Sequence, residues 1–137
     1  MNSQQGAVEK ILVVDDEKSM REFLEIMLEK DGYEVSCAES GVQALEVIGR
    51  QRFDLVITDI RMKPVDGLQV LKQCKAISPS TAVIIISAYA SAETAVVAMK
   101  EGAYDYLPKP FKIDEMRTAI TNALLSAKGE ERSRDAQ

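Results

Sequence analysis

Five short runs of strand length, three of them rich in Val and Ile, alternate along this chain with amphipathic segments of helical length. These runs are predicted strands at residues 10–14, 33–37, 54–58, 82–87 and 104–107. Strands that alternate with helices form parallel sheets whose two faces are both covered by helices. The run AVIIIS at 82–87 has almost no polar position, which is typical of a strand buried on both faces. The alternation therefore predicts an α/β fold.

The segments between and after these runs carry apolar residues at helical spacing. The predicted helices are residues 17–30, 40–50, 67–77, 92–100 and 113–128. Ser91 is a candidate N-cap, and Gly102 follows the end of its helix. A chain of 137 residues is too short for an eight-stranded α/β barrel. The expected architecture is a doubly wound, flavodoxin-like (βα)5 sheet with the strand order 2-1-3-4-5.

Polar segments flank the predicted sheet at both ends of the sequence. Residues 1–9 (MNSQQGAVE) are expected to be a disordered N-terminal segment, and residues 10–128 form the predicted domain. Residues 129–137 (GEERSRDAQ) have the composition of a linker. We therefore expect a further effector domain after the end of this sequence.

Charge and composition exclude several classes of function. The net charge is −5, which argues against direct nucleic-acid binding, because that requires a basic face. No apolar run is long enough to span a membrane and no signal peptide is present, so a cytoplasmic location is expected. The chain has two distant cysteines and no histidine. A zinc site and a histidine-activated nucleophile are therefore not expected.

Polar residues capable of chemistry follow four of the predicted strands. Asp15 and Asp16 follow the first strand, and Asp59 follows the third. Ser87 ends the fourth strand, and Lys109 comes soon after the fifth. Ligands of doubly wound sheets bind outside the carboxyl ends of the strands, where the strand order reverses. We therefore expect these five side chains to lie at one edge of the sheet.

Each of these residues alone has an ordinary structural explanation. Asp15 or Asp16 can cap a helix, Asp59 can be a turn residue, and Lys109 can be a solvated surface lysine. Three carboxylates at one edge, however, repel one another by about 4 kcal/mol for each close pair at an effective dielectric constant of 20. A hard cation such as Mg²⁺ resolves that repulsion. Carboxylates, Mg²⁺, a hydroxyl and an ammonium are the groups that phosphoryl transfer to an aspartate requires.

Four short motifs in this order resemble the receiver domain of bacterial two-component response regulators. They are ILVVDDE (11–17), TDIRM (58–62), ISA (86–88) and KPF (109–111), and the resemblance extends over residues 9–126. The stretch SAYASAETAVVAMKEGAYDYLPKPF (87–111) is similar to receivers of NtrC-like activators of sigma-54 transcription.

The resemblance implies that Asp59 accepts a phosphoryl group from a sensor histidine kinase. It implies that Mg²⁺ is bound by Asp15, Asp16, Asp59 and the backbone carbonyl of Arg61. Such a domain catalyses only its own phosphorylation and dephosphorylation, and is not an enzyme for other substrates.

The resemblance also implies a switch. Ser87 and Lys109 would bind phosphoryl oxygens, and Tyr106 would follow the Ser87 hydroxyl inward. The fourth helix, fifth strand and fifth helix would then form a homodimer, and the output would be sigma-54-dependent transcription.

One loop departs from the family pattern. Receivers usually carry Met-Pro-Gly after the phosphoacceptor, whereas Met62 is followed here by Lys63 and Pro64. Because of this departure, the shape of the loop is not predicted from the family pattern. One alternative function also stays open, a pseudo-receiver that binds proteins and is not phosphorylated.

Two further alternatives fit the residues less well. A phosphatase of the haloacid-dehalogenase type needs Asp-x-Asp after the first strand. A flavodoxin-type nucleotide binder needs a Ser-, Thr- or Gly-rich phosphate loop there.

Overall fold

The computed structural model describes residues 8–135, with side chains as far as residue 129. Strands and helices alternate through this part of the chain. The strands are β1 (Lys10–Val14), β2 (Glu34–Ala38), β3 (Leu55–Asp59), β4 (Ala82–Ser87) and β5 (Asp105–Pro108). The helices are α1 (Lys18–Lys30), α2 (Gly41–Arg50), α3 (Gly67–Ile77), α4 (Ala92–Lys100) and α5 (Ile113–Asp135).

The five strands form one parallel sheet in the order β2-β1-β3-β4-β5, as predicted. The chain first moves outward from β1 to β2 and then crosses back to β3, on the other side of β1. The strand order therefore reverses between β1 and β3, where Val14 pairs with Thr58. Everything that follows these two strands emerges at the same edge of the sheet.

Apolar side chains fill a layer on each face of the sheet. One layer contains Ile11 and Ile57 of the sheet with Leu24 of α1 and Ile120 of α5. The other contains the opposite faces of the strands with residues of α2, α3 and α4. Every residue of β3 and β4 is buried. Burial on both faces explains why these strands read as nearly continuous apolar runs.

Three strands lie one residue later than predicted, namely β2, β3 and β5. The apolar pattern marks the buried residues, but hydrogen bonds to the neighbouring strand decide where the ladder ends. Asp59 pairs with Ile86 of β4, and the Ile60 N–H donates to the Ile86 carbonyl at 3.0 Å. Asp59 is therefore the last residue of β3 and is held by the sheet.

The ends of two helices also differ by one residue from the prediction. Glu17 and Ser40 precede α1 and α2 as N-cap residues. The Ser40 hydroxyl accepts a hydrogen bond from the Gln43 N–H at 3.1 Å, which satisfies an otherwise unpaired donor of the first helical turn.

Helix α5 continues to Asp135, well beyond its predicted end at residue 128. Gly129 lowers the helix propensity, but the Glu and Arg residues that follow favour a helix and no proline intervenes. The helix end predicted at residue 128 is therefore wrong. A linker role for residues 129–137 stays a prediction.

Glu9, the last residue of the predicted N-terminal disordered segment, contacts β2 and α5. Its carbonyl accepts a hydrogen bond from the Glu34 N–H at 3.0 Å, and its carboxylate lies 3.2 Å from Lys128 Nζ. Residues 1–7 lie outside the described residues. Within the described chain, no helix has both the length and the apolar character needed to cross a membrane.

The two cysteines occupy different environments. Cys74 lies on the inner face of α3 and is 1% exposed, whereas Cys37 in β2 is half-buried. Burial raises the pKa of the Cys74 thiol to about 11, and it raises the pKa of Cys37 as well. The reactive form of a thiol is the thiolate. At pH 8 a thiol with a pKa near 11 is deprotonated in about one molecule in a thousand.

We expect iodoacetamide at pH 8 to alkylate Cys37 of the folded protein well before Cys74, because Cys74 is both more deeply buried and protonated. Peptide mass spectrometry over time gives the two rates separately. In guanidinium chloride the two rates should converge, which is the control. Equal rates in the folded protein would contradict the burial of Cys74.

Candidate functional site

Three carboxylates meet at the edge of the sheet where the strand order reverses. Asp15 and Asp16 follow β1, and Asp59 ends β3. One carboxylate oxygen from each residue lies within 4.8 Å of the others. Asp15 is fully buried and Asp59 is 7% exposed, whereas Asp16 is exposed to solvent. The structure thus brings together the carboxylates predicted from the sequence, and it leaves one side of the cluster open.

Lys109, which follows β5, reaches into this cluster. Its Nζ lies 2.8 Å from Asp15 Oδ2 and 3.2 Å from Asp59 Oδ2. Glu17 Oε1 lies further away, at 3.5 Å from the same nitrogen. The ammonium therefore bridges the two buried carboxylates. The Lys109–Pro110 peptide bond is cis.

Backbone N–H groups orient both buried carboxylates. Asp15 Oδ1 accepts a hydrogen bond from the Glu17 N–H at 2.9 Å, and Asp59 Oδ1 accepts one from the Arg61 N–H at 3.2 Å. In each case the second oxygen, Oδ2, is the one that faces Lys109. A backbone donor thus fixes one oxygen of each acid and leaves the other for the ammonium.

Burial and the neighbouring charges together shift the pKa values of Asp59 and Lys109. Burial raises the pKa of Asp59, and the charge of Asp15 adds to this, while the Arg61 N–H and Lys109 oppose it. Burial alone would lower the pKa of Lys109. Hydrogen bonding and the charges of Asp15 and Asp59 outweigh that effect and raise it. Lys109 is therefore a charged ammonium beside a carboxylate that has little exposure to solvent.

Two residues at the site were missed by the sequence analysis. Arg21 of α1 donates a hydrogen bond from Nη1 to the Asp15 carbonyl at 2.8 Å, and its Nη2 lies 3.8 Å from the Glu39 carboxylate. Glu17 is the last residue of the ILVVDDE motif and contacts Lys109. Its place directly after Asp15 and Asp16 was the available signal.

The two predicted switch residues lie on the neighbouring strands. Ser87 is fully buried, and its hydroxyl accepts a hydrogen bond from the Tyr89 N–H at 3.1 Å. Tyr106 of β5 is half-buried, and its hydroxyl lies 2.7 Å from Thr94 Oγ1 in the first turn of α4. Thr94 was not identified from the sequence, because its contact joins two separate elements.

A cavity of about 270 Å³ opens above the carboxylates. On one side of it, the Arg61 guanidinium carbon lies 4.6 Å from the centre of the Tyr89 ring, a cation–π arrangement. The lining residues are Asp16, Glu17, Asp59, Arg61, Ala88, Tyr89 and Lys109. The cavity gives small molecules and water a path to Asp59.

The loop between Asp59 and α3, which departs from the family pattern, is closed by backbone hydrogen bonds. The Lys63–Pro64 peptide bond is cis, and the Gly67 N–H donates to the Ile60 carbonyl at 2.9 Å. Helix α3 begins with a capping box between Asp66 and Gln69. Hydrogen bonds thus hold Ile60, just after Asp59, and the start of α3 on either side of Lys63-Pro64.

Comparison with known proteins identifies the type of domain. The response regulator receiver domain family matches residues 11–121 of the sequence. This chain belongs to the response regulator receiver domain family. The transcriptional regulatory protein ZraR of Escherichia coli K12 is 48% identical over 114 residues, which are 83% of this chain and 26% of that protein. The receiver domain thus spans about a quarter of the length of this curated relative.

Solved structures agree with the receiver fold. A receiver domain protein from Clostridium thermocellum is 38% identical with a TM-score of 0.83, covering 88% of this chain and 98% of that one. The beryllofluoride-activated NtrC4 receiver domain dimer is 35% identical with a TM-score of 0.82, covering 86% and 98%. The predicted receiver fold is confirmed, and the NtrC4 match agrees with the resemblance to NtrC-like receivers.

The acidic cluster of this receiver domain fits a hard divalent cation. Its donors are oxygen atoms, which Mg²⁺ prefers, and the exposed side at Asp16 leaves room for the water ligands that Mg²⁺ usually retains. Asp15, Asp16 and Asp59 are thus close enough to share an ion. Their individual roles and that of the Arg61 carbonyl stay predictions.

Gly67, the first residue of α3, packs directly against the end of β3. A Cβ atom at this position would overlap the backbone of Asp59 and Ile60. We expect Gly67→Ala to destabilise the receiver domain by about 1–3 kcal/mol, because the contact is with backbone that cannot rotate away. Urea unfolding followed by circular dichroism measures the change.

Gly49→Ala is the matched control for this prediction. Gly49 lies inside α2, and a Cβ there meets no atom within 4 Å. Alanine at an open helical position should stabilise the protein by about 0.5–1 kcal/mol. Equal effects of the two substitutions would rule out close packing of α3 on Asp59.

Proposed function

We propose that this receiver domain accepts a phosphoryl group on Asp59 from a sensor histidine kinase and uses it to switch an output. One observation carries the proposal. Asp59 is a nearly buried carboxylate 3.2 Å from the Lys109 ammonium and next to two further acids. An ammonium and an acidic cation site beside one carboxylate are the groups that phosphoryl transfer needs.

In the proposed reaction an oxygen of Asp59 forms a bond to phosphorus while the bond from phosphorus to the kinase's histidine nitrogen breaks. The electron pair of that bond returns to the imidazole ring. Lys109 and the Ser87 hydroxyl then donate hydrogen bonds to phosphoryl oxygens. Mg²⁺, held by Asp15, Asp16, Asp59 and the Arg61 carbonyl, would neutralise further charge on the phosphoryl group. The chain's own part is to hold the Lys109 ammonium beside Asp59 in advance and to supply the Ser87 hydroxyl when it turns inward.

The proposed switch begins at Ser87. Its hydroxyl now accepts a hydrogen bond from the Tyr89 N–H, and in the proposed switch it turns inward to donate one to a phosphoryl oxygen. Moving such an equilibrium from 1:99 to 99:1 takes about 5.5 kcal/mol. Hydrogen bonds to charged groups contribute about 1.5–3 kcal/mol each. The bonds made by Ser87 and Lys109 are therefore strong enough to supply much of this difference.

The contact between Tyr106 and Thr94 supports Tyr106 as the residue that passes the change to α4. The same Thr94 hydroxyl that contacts Tyr106 also takes part in the capping box with Ser91. An inward movement of Tyr106 would break the bond between the two side chains. The first turn of α4 would then lose one of its supports, which links phosphorylation to the surface of α4.

The proposed output surface consists of α4, β5 and α5. Large apolar side chains are exposed there, namely Val96, Val97, Met99, Tyr104 and Leu125. Exposed apolar patches mark protein–protein contacts. The NtrC4 receiver, which resembles this chain, forms a dimer in its activated state. We therefore propose a homodimer through this surface, and control of sigma-54-dependent transcription by a domain outside this sequence.

Incubation with Mg²⁺ and acetyl phosphate should add one phosphoryl group to the chain, because Asp59 is the prepared acceptor. Intact mass spectrometry measures the gain. EDTA and Asp59→Ala should both abolish it, whereas Asp114→Ala, which removes an acid of α5, should not. No gain in the parent chain would favour the pseudo-receiver. The Lys63-Pro64 loop would then be the first feature to test as the cause.

Ser87→Ala and Lys109→Ala should each permit phosphorylation of Asp59 but weaken the structural response, since each removes one donor to the phosphoryl group. The response can be measured as the change in amide hydrogen exchange of α4 and as dimer formation in analytical ultracentrifugation. Glu46→Ala, which removes an exposed acid of α2 outside the proposed output surface, serves as the control. A full response in both variants would count against these roles.

A further inference from the structure

Arg21, in the first turn of α1, contacts the loop that carries Asp15 and Asp16. Its Nη1 donates a hydrogen bond to the Asp15 carbonyl at 2.8 Å, and its Nη2 lies 3.8 Å from the Glu39 carboxylate. The Arg21 side chain is only 16% exposed. Negative charge, not positive charge, is favoured at the first turn of a helix. The stability of α1 therefore does not explain a cation at this position.

The hydrogen bond to the Asp15 carbonyl acts on Asp16 as well. That carbonyl and the Asp16 N–H belong to one planar peptide group, so a donor that holds the carbonyl also fixes the N–H. The Asp16 carboxylate is exposed, and it makes no hydrogen bond or ion pair with residues 8–129, whose side chains the structure describes. The two Asp15 oxygens, in contrast, are bound by the Glu17 N–H and by Lys109. The direction of Asp16 therefore depends on its backbone.

The backbone is held on both sides of this peptide group. On one side, the Asp15 N–H donates to the Ala38 carbonyl at the end of β2, at 3.2 Å. On the other side, the Glu17 carbonyl accepts a hydrogen bond from the Arg21 N–H, also at 3.2 Å. The peptide group between Asp15 and Asp16 lies between these two bonds, and the Arg21 guanidinium donates to it there.

We propose that Arg21 is a positioning residue of the cation site, because it fixes the peptide group between two of the proposed Mg²⁺ ligands and so holds Asp16 in place for the ion. The inference rests on the proposed function, in which Asp15 and Asp16 bind Mg²⁺ together with Asp59. Arg21 does not line the cavity above Asp59, and it acts through the backbone of Asp15.

Positioning and charge predict opposite effects when the guanidinium is removed. A cation near a metal site repels the ion, so an effect of charge alone would make Mg²⁺ bind more tightly after its removal. Loss of a residue that orients metal ligands weakens metal binding by about 10- to 100-fold. Asp15 and Asp59 keep their other hydrogen bonds, so we expect Arg21→Met to weaken Mg²⁺ binding by about 10-fold, the lower end of this range.

The test measures the Mg²⁺ affinity of the unphosphorylated chain by NMR titration of the Asp16 and Asp59 amide signals. Arg21→Lys keeps the charge and one donor group, and should bind Mg²⁺ more tightly than Arg21→Met. Arg50→Met is the matched control. It removes an exposed arginine of α2 at the opposite edge of the sheet, and should leave the affinity within about two-fold because salt screens distant charges. Binding by Arg21→Met that equals or exceeds that of the parent chain would overturn the proposal.

A second measurement needs neither Mg²⁺ nor phosphorylation. The NMR order parameter of the Asp16 N–H reports the motion of the peptide group that Arg21 holds, and rigid backbone has a value of about 0.85. In Arg21→Met this value should fall toward about 0.6, whereas Arg50→Met should keep the value of the parent chain. A rigid Asp16 amide in Arg21→Met would overturn the positioning role, even if Mg²⁺ binding is weaker.

The same spectra show whether each variant is folded. If Arg21→Met is unfolded, Arg21→Lys decides, since parent-like values of both its affinity and its order parameter support the proposal and a tighter affinity overturns it. A parent chain that binds no Mg²⁺ would instead refute the cation site of the proposed function. The order parameter would still decide whether Arg21 holds the peptide group.

Discussion

The ion bridge from Lys109 to Asp15 and Asp59 is the interaction on which the edge of the sheet depends. Two buried acids lie close together there, and their repulsion at an effective dielectric constant of 20 is about 4 kcal/mol. The ammonium lies 2.8 Å from one carboxylate and 3.2 Å from the other. Because Lys109 follows β5 while the acids follow β1 and β3, this one side chain ties the far strand of the sheet to its centre.

The same arrangement explains how a local charge can affect a distant surface. The Lys109 N–H donates to the Ser87 carbonyl at 2.7 Å, so the residue that balances the acids also touches the strand that carries the hydroxyl. Tyr106 lies on the next strand and contacts Thr94 of α4. A continuous set of contacts thus leads from Asp59 to the first turn of α4. Contact alone is not coupling. The first step, from Asp59 to the Lys109 ammonium, and the last, from Tyr106 to Thr94, are side-chain hydrogen bonds that a single substitution can remove. The steps between them follow the backbone of β4 and β5.

The sequence predicted most of the fold because its signals are local. Helical periodicity, capping residues and β-branched runs mark the elements, and their alternation leaves few possible topologies. The site could be predicted for a related reason, since in a parallel sheet the residues after the strands share one edge. Asp15, Asp16, Asp59 and Lys109 do meet there.

The remainder could not be predicted because it depends on side-chain conformations and on pairing between elements that are distant in sequence. The contacts of Arg21 with the Asp15 carbonyl and of Thr94 with Tyr106 are of this kind. The one-residue shift of β3 has the same origin, because the ladder with β4 extends to Asp59. The extension of α5 past Gly129 shows that one glycine does not end a helix when favourable residues follow it.

One pattern of backbone hydrogen bonds recurs at three of the strand ends and links residues deep in the site to residues at its entrance. Asp15, Asp59 and Ser87 each accept a hydrogen bond from the N–H of the residue two places later. Those later residues are Glu17, Arg61 and Tyr89, and all three line the mouth of the cavity. The backbone N–H groups that donate these bonds are present whatever side chains the donor residues carry. The side chains at the entrance can therefore be an anion, a cation or an aromatic ring, while Asp15, Asp59 and Ser87 keep their geometry.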